Sequence, residues 1–284
     1  MVDGDSVVSS PGGLILGLPR NLALRILSSL VIFPPAAVLL VLGGLYFAGL
    51  VALIAGCMAW EWTRIVSQND NPMVAGLAAA GCAAVVGAWA LTSPSVVAYL
   101  ALASLAVVMV GTVVRGERRR GWIIAGCVAT SVPCLAALWL RAGEPLGLAL
   151  VAWLISAVVA TDIGAYIAGK KIGGARLAPR ISPNKTWAGL IGGMLASAGV
   201  GWVGGIVITD AGSMMLAGLG ALVAIMAQIG DLLESLLKRK FGVKDSGGLI
   251  PGHGGVLDRL DGHLIVILVT SIVVVVSGQT PLLW

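Results

Sequence analysis

The chain has 284 residues, of which 58% are hydrophobic and only 11% are charged, with a formal net charge of +5. Soluble domains carry about 25% charged residues, so this composition excludes an ordinary soluble protein. The apolar runs are continuous rather than alternating, which disfavours a transmembrane β-barrel and predicts an all-α polytopic membrane protein.

The N-terminal residues 1–21 are acidic first and only briefly apolar, so we interpret them as a cytoplasmic lead-in rather than a signal peptide. Residues 22–284 are predicted to form a single transmembrane domain. Its apolar runs predict about nine transmembrane helices, near residues 22–42, 44–61, 73–91, 94–114, 121–140, 146–168, 186–208, 212–236 and 258–279. Only the letters LGG separate the first two spans, and Pro34 and Pro35 are expected to break or kink the first.

The basic residues follow one pattern along these spans. If the N-terminus is cytoplasmic, the cytoplasmic parts and the helix ends beside them hold every Lys and Arg except Arg141. This positive-inside pattern predicts a multi-pass protein of the cell (inner) membrane, with a cytoplasmic N-terminus and an outward C-terminus. Basic residues can also serve only to set topology and to meet anionic lipid head groups, and we interpret the loop RGERRR in this way.

Three acidic residues lie within predicted spans, where charged groups are costly and usually functional. Asp162 lies toward the inner end of the sixth span, and Asp231 and Glu234 lie near the inner end of the eighth. Asp231, Glu234, Ser235 and Lys238 are spaced i, i+3, i+4, i+7 and therefore share one helix face. Such a face is expected to line a polar cavity or to pair with another helix.

The stretch KDSGGLIPGHGGVLDRLDG places two more carboxylates at the start of the ninth span. Asp258 and Asp261 are spaced i, i+3 and are expected to point the same way. Because Mg²⁺ is commonly held by one or two carboxylates plus substrate phosphates, Asp231 and Asp258 are the predicted metal pair, with Asp261 as a further candidate. A structural ion pair of Asp231 or Glu234 with Arg259 is the alternative.

The same stretch carries groups suited to an anion. Gly254 and Gly255 belong to a glycine run that can turn successive N–H groups toward a phosphate, beside the positive end of the ninth helix. His253, between glycines, is interpreted either as a phosphate or acid–base group or as a structural histidine. Four cationic side chains are candidate partners of a polyphosphate: Lys238, Arg239, Lys244 and Arg259.

A second polar loop, RISPNKTWAG, precedes the seventh span. Its Ser182, Lys185 and Thr186 are residue types that bind phosphate. Ser182 or Asn184 can instead cap the following helix, and the sequence leaves both interpretations open. A divalent metal with cationic loops on one membrane face indicates phosphoryl or nucleotidyl transfer, without naming the nucleotide or the acceptor.

The segment SLLKRKFGVKDSGGLIPGHGGVLDRLD, from Ser235 to Asp261, resembles the signature of the phosphatidate cytidylyltransferases (CDP-diacylglycerol synthases) at every position. The stretch DIGAYIAGKKIG, Arg25 and the pair Glu61 and Trp62 also look like this family. The family usually shows SPKKTWEG where this chain has SPNKTWAG, so Asn184 and Ala188 replace a lysine and a glutamate. Because this chain lacks both charges, neither is expected to be essential for the activity that the resemblance implies.

The resemblance implies that CTP and phosphatidic acid react to give CDP-diacylglycerol and pyrophosphate on the cytoplasmic face, with Mg²⁺ and a possible second cation. It implies an active site formed mainly by 160–190 and 228–263. The expected partners are CTP, phosphatidic acid and the lipid bilayer, with no nucleic acid, and a homodimer stays open. The expected catalytic residues are Asp231, Asp258, Lys238, Lys244 and Arg259; the substrate-binding residues are Ser182, Lys185, Thr186, Ser235, Arg239, His253, Gly254 and Gly255; the metal ligands are Asp231, Asp258 and Asp261.

Two other functions stay open from the sequence. A CTP-dependent lipid kinase would use a similar site but would release CDP instead of pyrophosphate. A cation-coupled transporter would use Asp162, Asp231 and Glu234 as an ion path. The outer halves of the spans carry almost no ionisable groups, which disfavours the transporter.

Overall fold

The computed structural model describes residues 14–15, 18–67, 71–208, 212–250 and 254–283. Nine α-helices lie within these residues, and each follows one predicted span in chain order. Their bounds are α1 Arg20–Leu42, α2 Gly44–Val66, α3 Pro72–Ala88, α4 Pro94–Val114, α5 Arg120–Ala142, α6 Gly147–Lys171, α7 Trp187–Val207, α8 Ser213–Lys240 and α9 Leu257–Ser277.

Seven of these helices, α2 and α4 to α9, are long and apolar enough to cross a membrane. The apolar part of α1, Leu27–Leu42, and the 17 residues of α3 are shorter. Large apolar side chains are exposed on the outer helix faces, as at Tyr99 and Leu102 of α4, which suits contact with lipid. The chain is therefore an all-α polytopic membrane protein, while nine spans and the orientation of the termini remain predictions.

The boundary between α1 and α2 lies at Gly43 and not at the prolines. Helix α1 continues through Pro34 and Pro35, so the expected break there is wrong. Gly43 has a left-handed φ of 65°, which glycine adopts without steric cost. The guanidinium of Arg141 donates to the carbonyls of Leu40 and Val41, at 2.9 Å each, and so satisfies the end of α1.

Short strands occur only outside the helices in the described residues. β1 (Leu14–Ile15) pairs antiparallel with β2 (Leu18–Pro19) ahead of α1. The rest of the predicted lead-in before α1 lies outside the described residues. Between α6 and α7, β3 (Arg176–Ala178) and β4 (Ser182–Thr186) form an antiparallel hairpin that the sequence did not predict. This hairpin leads directly into α7.

Helix α9 packs against α2, α5, α6 and α8, so its start lies among the ends of several other helices. The closest neighbours in the bundle are α6 with α7, and α7 with α8. Small residues permit this approach: a side chain on Gly192 of α7 would place its Cβ 2.3 Å from the Cβ of Ala168 on α6. Glu61 near the end of α2 and Lys238 near the end of α8 both contact the start of α9, beside the basic end of α8.

Candidate active site

A cluster of three carboxylates lies where α8 crosses α9. Asp231 and Glu234 of α8 and Asp261 of α9 each offer an oxygen, and these oxygens lie within 4.8 Å of one another. Glycine makes the crossing close, because a Cβ on Gly230 would lie 2.6 Å from the carbonyl oxygen of Asp261. The acidic face predicted for the eighth span therefore faces α9, as a polar stripe inside a membrane must.

Two lysines form ion pairs with carboxylates of this cluster. Lys238 Nζ lies 2.7 Å from Glu234 Oε2 and 2.7 Å from Asp258 Oδ1, and the side chains of this triad are at most 13% exposed. Lys185, carried by β4, forms an ion pair with Asp231. Because a buried carboxylate is stable only when it is paired and hydrogen-bonded, the lysines are part of the site's structure as well as its charge.

Asp258 occupies a different position from the other carboxylates. Besides Lys238, its carboxylate accepts from the backbone N–H groups of Ser246, at 3.0 and 3.1 Å, and Gly255, at 3.1 Å. Among the described residues, the cluster of oxygens within 4.8 Å of one another includes Asp231 and Asp261 but not Asp258. The Asp231–Asp258 metal pair therefore stays a prediction.

The backbone N–H groups of Gly254 and Gly255, which were predicted to bind phosphate, form hydrogen bonds within the protein. Gly254, with a φ of 87°, donates to the carbonyl of Ile250 at 3.1 Å, and Gly255 donates to Asp258. The first N–H groups at the start of α9 donate to a carboxylate from α2, that of Glu61. Phosphate binding by Gly254 and Gly255 stays a prediction and requires an exchange of these partners.

Sequence reasoning gave no role to Glu61, which it noted only as part of the resemblance. The residue is 2% exposed, and it lies near the end of α2 among apolar neighbours. An acid inside an apolar span is itself a signal of function, and that signal was available in the sequence. Its partner could not be read from the chain, because that partner lies 195 residues away.

The β3–β4 hairpin positions the second group of predicted residues. Ser182, Lys185 and Thr186 all lie on β4. Thr186 Oγ1 accepts from the N–H of Gly189 at 3.0 Å and so caps α7. The alternative that Ser182 or Asn184 caps this helix is therefore wrong, while phosphate binding by Ser182, Lys185 and Thr186 stays a prediction.

The remaining predicted residues lie around the cluster. Ser235 donates to Asp231 Oδ1 at 3.3 Å. Arg239, Lys244 and Arg259 are exposed, and Arg239 donates to the carbonyl of Val243 at 3.4 Å. His253 lies outside the described residues.

Asp162 of α6 is a further carboxylate of this region. It lies within electrostatic range of Asp231, Lys185, Arg259 and Asp261. The sequence shows Asp162 as an acid within a span, but it is not among the predicted site residues. Its position means that three helices, α6, α8 and α9, contribute carboxylates to one place.

Residues 23–277 match the model of the Cytidylyltransferase family. The chain belongs to this family. It is 37% identical to the phosphatidate cytidylyltransferase of Brucella suis over 247 residues, which cover 85% of this chain and 89% of the relative. It is 35% identical to the enzyme of that name from Pseudomonas aeruginosa over 246 residues, covering 84% and 91%. A Helicobacter pylori relative of the same name is 45% identical over 121 residues, 43% of this chain and 45% of its own.

Proposed function

We propose that this protein transfers the cytidylyl group of CTP to phosphatidic acid, giving CDP-diacylglycerol and pyrophosphate for phospholipid synthesis. The observation that carries this proposal is family membership over residues 23–277, together with relatives that bear the name of this activity and cover most of the chain. The cluster of carboxylates and lysines at the ends of α6, α8 and α9 supplies a site suited to the reaction.

The reaction requires that the two substrates be positioned and that the negative charge of their phosphates be neutralised. A phosphate oxygen of phosphatidic acid attacks the α-phosphorus of CTP, and the bond from that phosphorus to the oxygen bridging the β-phosphorus breaks. Pyrophosphate leaves with the bonding electrons. The attacking oxygen is already anionic, so an enzyme nucleophile is not required.

The residues present fit a hard divalent cation such as Mg²⁺. Asp231, Glu234 and Asp261 offer carboxylate oxygens, the ligands that Mg²⁺ prefers. Glu234 Oε1 is buried and accepts no hydrogen bond within the described residues. Asp231 and Asp258 would hold the ion, as the sequence predicts, with Asp261, which lies beside Asp231, as the further ligand. When bound, the ion would neutralise phosphate charge and stabilise the leaving pyrophosphate. A second cation stays an expectation, and Asp162 adds a carboxylate for it.

The cationic side chains fall into two groups with different roles in this proposal. Lys185 and Lys238 lie inside the site and balance its carboxylates, so they are placed to turn to the phosphates of a bound nucleotide. Arg239, Lys244 and Arg259 are exposed around the site and would attract and hold the triphosphate. Polar contacts from Ser182, Thr186, Ser235, His253, Gly254 and Gly255 complete the expected substrate-binding set.

We place the site on the cytoplasmic face of the inner membrane, because it lies at the helix ends that carry the basic residues. CTP would reach it from the cytosol. Phosphatidic acid would enter from the bilayer, and the exposed apolar side chains of Ile163 and Ile167 on α6, next to Asp162, suit contact with acyl chains. A homodimer stays open.

The direct test uses purified protein in detergent with phosphatidic acid, Mg²⁺ and CTP labelled at the α-phosphate. Label should move into CDP-diacylglycerol, and pyrophosphate should be released in equal amount. Release of CDP with a phosphorylated lipid would instead establish a kinase and refute the proposal.

Variants test the assignment of residues to the metal. Asp231→Asn and Asp258→Asn are each expected to abolish turnover while the protein stays folded, and Asp261→Asn is expected to reduce it. The matched control is Glu144→Gln, an acid between α5 and α6 at the other end of the bundle. Stabilisation of the protein by Mg²⁺ in thermal unfolding should disappear in the variants that lose a ligand and persist in the control. Normal rates in both Asp231→Asn and Asp258→Asn would refute the metal assignment.

A further inference from the structure

The carboxylate of Glu61 belongs to α2, but it accepts hydrogen bonds from the start of α9. Its Oε1 accepts from the N–H of Val256 at 3.0 Å, and its Oε2 accepts from the N–H of Leu257 at 2.8 Å and from Ser246 Oγ at 3.3 Å. The side chain is 2% exposed. A buried charge is retained at this cost only where its hydrogen bonds are needed.

These contacts supply a cap that α9 lacks in its own sequence. The N-cap position of α9 is Val256, whose side chain cannot accept a hydrogen bond, and no local side chain caps the helix. The first N–H groups of a helix otherwise remain unsatisfied. Glu61 satisfies two of them, and its negative charge also suits the positive end of the helix dipole.

The same carboxylate connects to the active site through Ser246. The hydroxyl of Ser246 donates to Glu61, and its backbone N–H donates to both oxygens of Asp258. Asp258 contacts Lys238, and Lys238 contacts Glu234 in the carboxylate cluster. A continuous set of polar contacts therefore joins α2 to the groups proposed to hold metal and nucleotide.

Two glycines in the described parts of the loop between α8 and α9 make room for Glu61. A Cβ on Gly247 would lie 3.0 Å from Glu61 Oε1, and a Cβ on Gly255 would lie 2.7 Å from Glu61 Oε2 and 1.9 Å from Ser246 Oγ. The sequence suggested that this glycine run approaches a phosphate. In the structure, these two positions allow the described parts of the loop to pack against a carboxylate.

We propose that Glu61 is the positioning residue of the active site: it holds the start of α9 and, through Ser246, sets the position of Asp258. Within the described residues its hydrogen bonds go to Val256, Leu257 and Ser246 and not to the carboxylate cluster, so it acts through other residues. This inference rests on the proposed function, because the groups that it positions are those assigned to CTP and metal. A residue that only capped α9 would not need the hydrogen bond to Ser246, which connects Glu61 to Asp258.

The test begins with Glu61→Gln, which keeps the size of the side chain. An amide has one accepting oxygen, so its NH₂ group would face the N–H of either Val256 or Leu257, whichever way it turned. Turnover is expected to fall by roughly 10- to 100-fold, the usual effect of removing a group that orients a ligand, and the Mg²⁺ concentration for half-maximal rate is expected to rise. Hydrogen exchange, followed by mass spectrometry, should accelerate at 243–250 and 254–262 and stay unchanged in α4 and α7.

The matched control is Glu117→Gln. Glu117 is 1% exposed, lies in the basic loop before α5, and accepts from Ser67 Oγ at 2.6 Å; within the described residues, no side-chain hydrogen bond or ion pair joins it to the loop between α8 and α9. This variant is expected to keep the wild-type Mg²⁺ and CTP dependence and the wild-type exchange at 243–262. If both variants only lower the unfolding temperature, and neither changes Mg²⁺ dependence or exchange at the loop, the inference is refuted.

Ser246→Ala provides a second route if Glu61→Gln does not fold. It removes one hydroxyl and leaves the caps on Val256 and Leu257 in place. The same direction of change is expected, with a smaller loss of rate and faster exchange at 243–250. Wild-type exchange and Mg²⁺ dependence in folded Ser246→Ala would overturn the link to Asp258. The exchange data do not depend on turnover, so an inactive wild-type protein would refute the proposed function and leave this test able to decide the position of the loop.

Discussion

At the scale of single residues, Lys238 has the most demanding environment in the site. It is 12% exposed and pairs with Glu234 and Asp258, which are also largely buried. Desolvation of three charges is costly, and their mutual attraction offsets that cost only while all three are present. Lys238 therefore has a structural role that is separable from its proposed contact with CTP.

We predict that Lys238→Met lowers the free energy of unfolding by about 3–5 kcal/mol, because it leaves two buried carboxylates without their cation. The measurement is denaturant or thermal unfolding in a fixed detergent. Lys171→Met, which changes an exposed lysine at the end of α6, is the control and should change stability by less than about 0.5 kcal/mol.

The double variant Lys238→Met/Glu234→Gln separates stability from activity. Removing the second charge should restore part of the lost stability, since fewer unpaired charges stay buried, while turnover should remain low. Full recovery of turnover in this double variant would contradict a role for Lys238 with the nucleotide.

At the scale of elements, the β3–β4 hairpin and the start of α7 carry Lys185 to Asp231. Thr186 ends β4 and caps α7 through its hydroxyl, so the cap sets where the strand stops and the helix starts. Lys185 is the preceding residue. Its position over the carboxylates therefore depends on this junction.

We expect Thr186→Ala to destabilise the protein by about 1 kcal/mol, the usual cost of losing a helix cap, and Thr186→Ser to retain most of that stability. Ser182→Ala is the matched comparison, because Ser182 lies on the same strand and does not cap the helix. Equal losses in Thr186→Ala and Ser182→Ala, measured by unfolding, would argue against the cap.

The close packing of α6 against α7 depends on glycine. A Cβ on Gly192 would lie 2.3 Å from the Cβ of Ala168 and 2.9 Å from the carbonyl oxygen of Gly164, so the helices must separate to accept it. Gly192→Ala is predicted to cost about 1–3 kcal/mol. Gly199→Ala on the same helix meets nothing within 4 Å and should be neutral or slightly stabilising. Equal unfolding temperatures for the two variants would contradict this packing.

At the scale of the whole molecule, the distribution of charge predicts the orientation. The site and the basic loops lie at one set of helix ends, and Arg141, at the other end, satisfies the carbonyls of α1. Because basic loops are retained in the cytoplasm, the carboxylate cluster should face the cytosol.

Single cysteines introduced into a variant without the four native cysteines test this orientation. A maleimide that cannot cross membranes should label Cys at positions 73 and 118 only in inverted vesicles, and Cys at positions 93 and 279 only in right-side-out vesicles. Met73 lies at the start of α3, one of the two shorter apolar helices, and Ser93 follows its end, so labelling of both from one side would show that α3 does not cross. The replaced residues Met73, Ser93, Arg118 and Gln279 are all exposed.

The helices of this protein could be predicted from the sequence because each is determined locally. Apolar runs of about 20 residues form helices in lipid, where every backbone group must find its partner within the segment. The shared face of Asp231, Glu234, Ser235 and Lys238 also follows from helical spacing alone, and the structure confirms it. The resemblance to the family, carried by a segment of the chain, was confirmed by the comparisons.

Which carboxylate lies beside Asp231 was decided only by the tertiary structure. The spacing of Asp258 and Asp261 gives both an equal claim to Asp231, and it is the crossing of α8 over α9 at Gly230 that brings Asp261 beside it and leaves Asp258 with Lys238. Glu61 shows the same limit, since its partners on α9 lie 195 and 196 residues along the chain. Helical periodicity reports which side chains share a face, but which faces meet depends on the packing of distant segments, and that information is not local to any stretch of sequence.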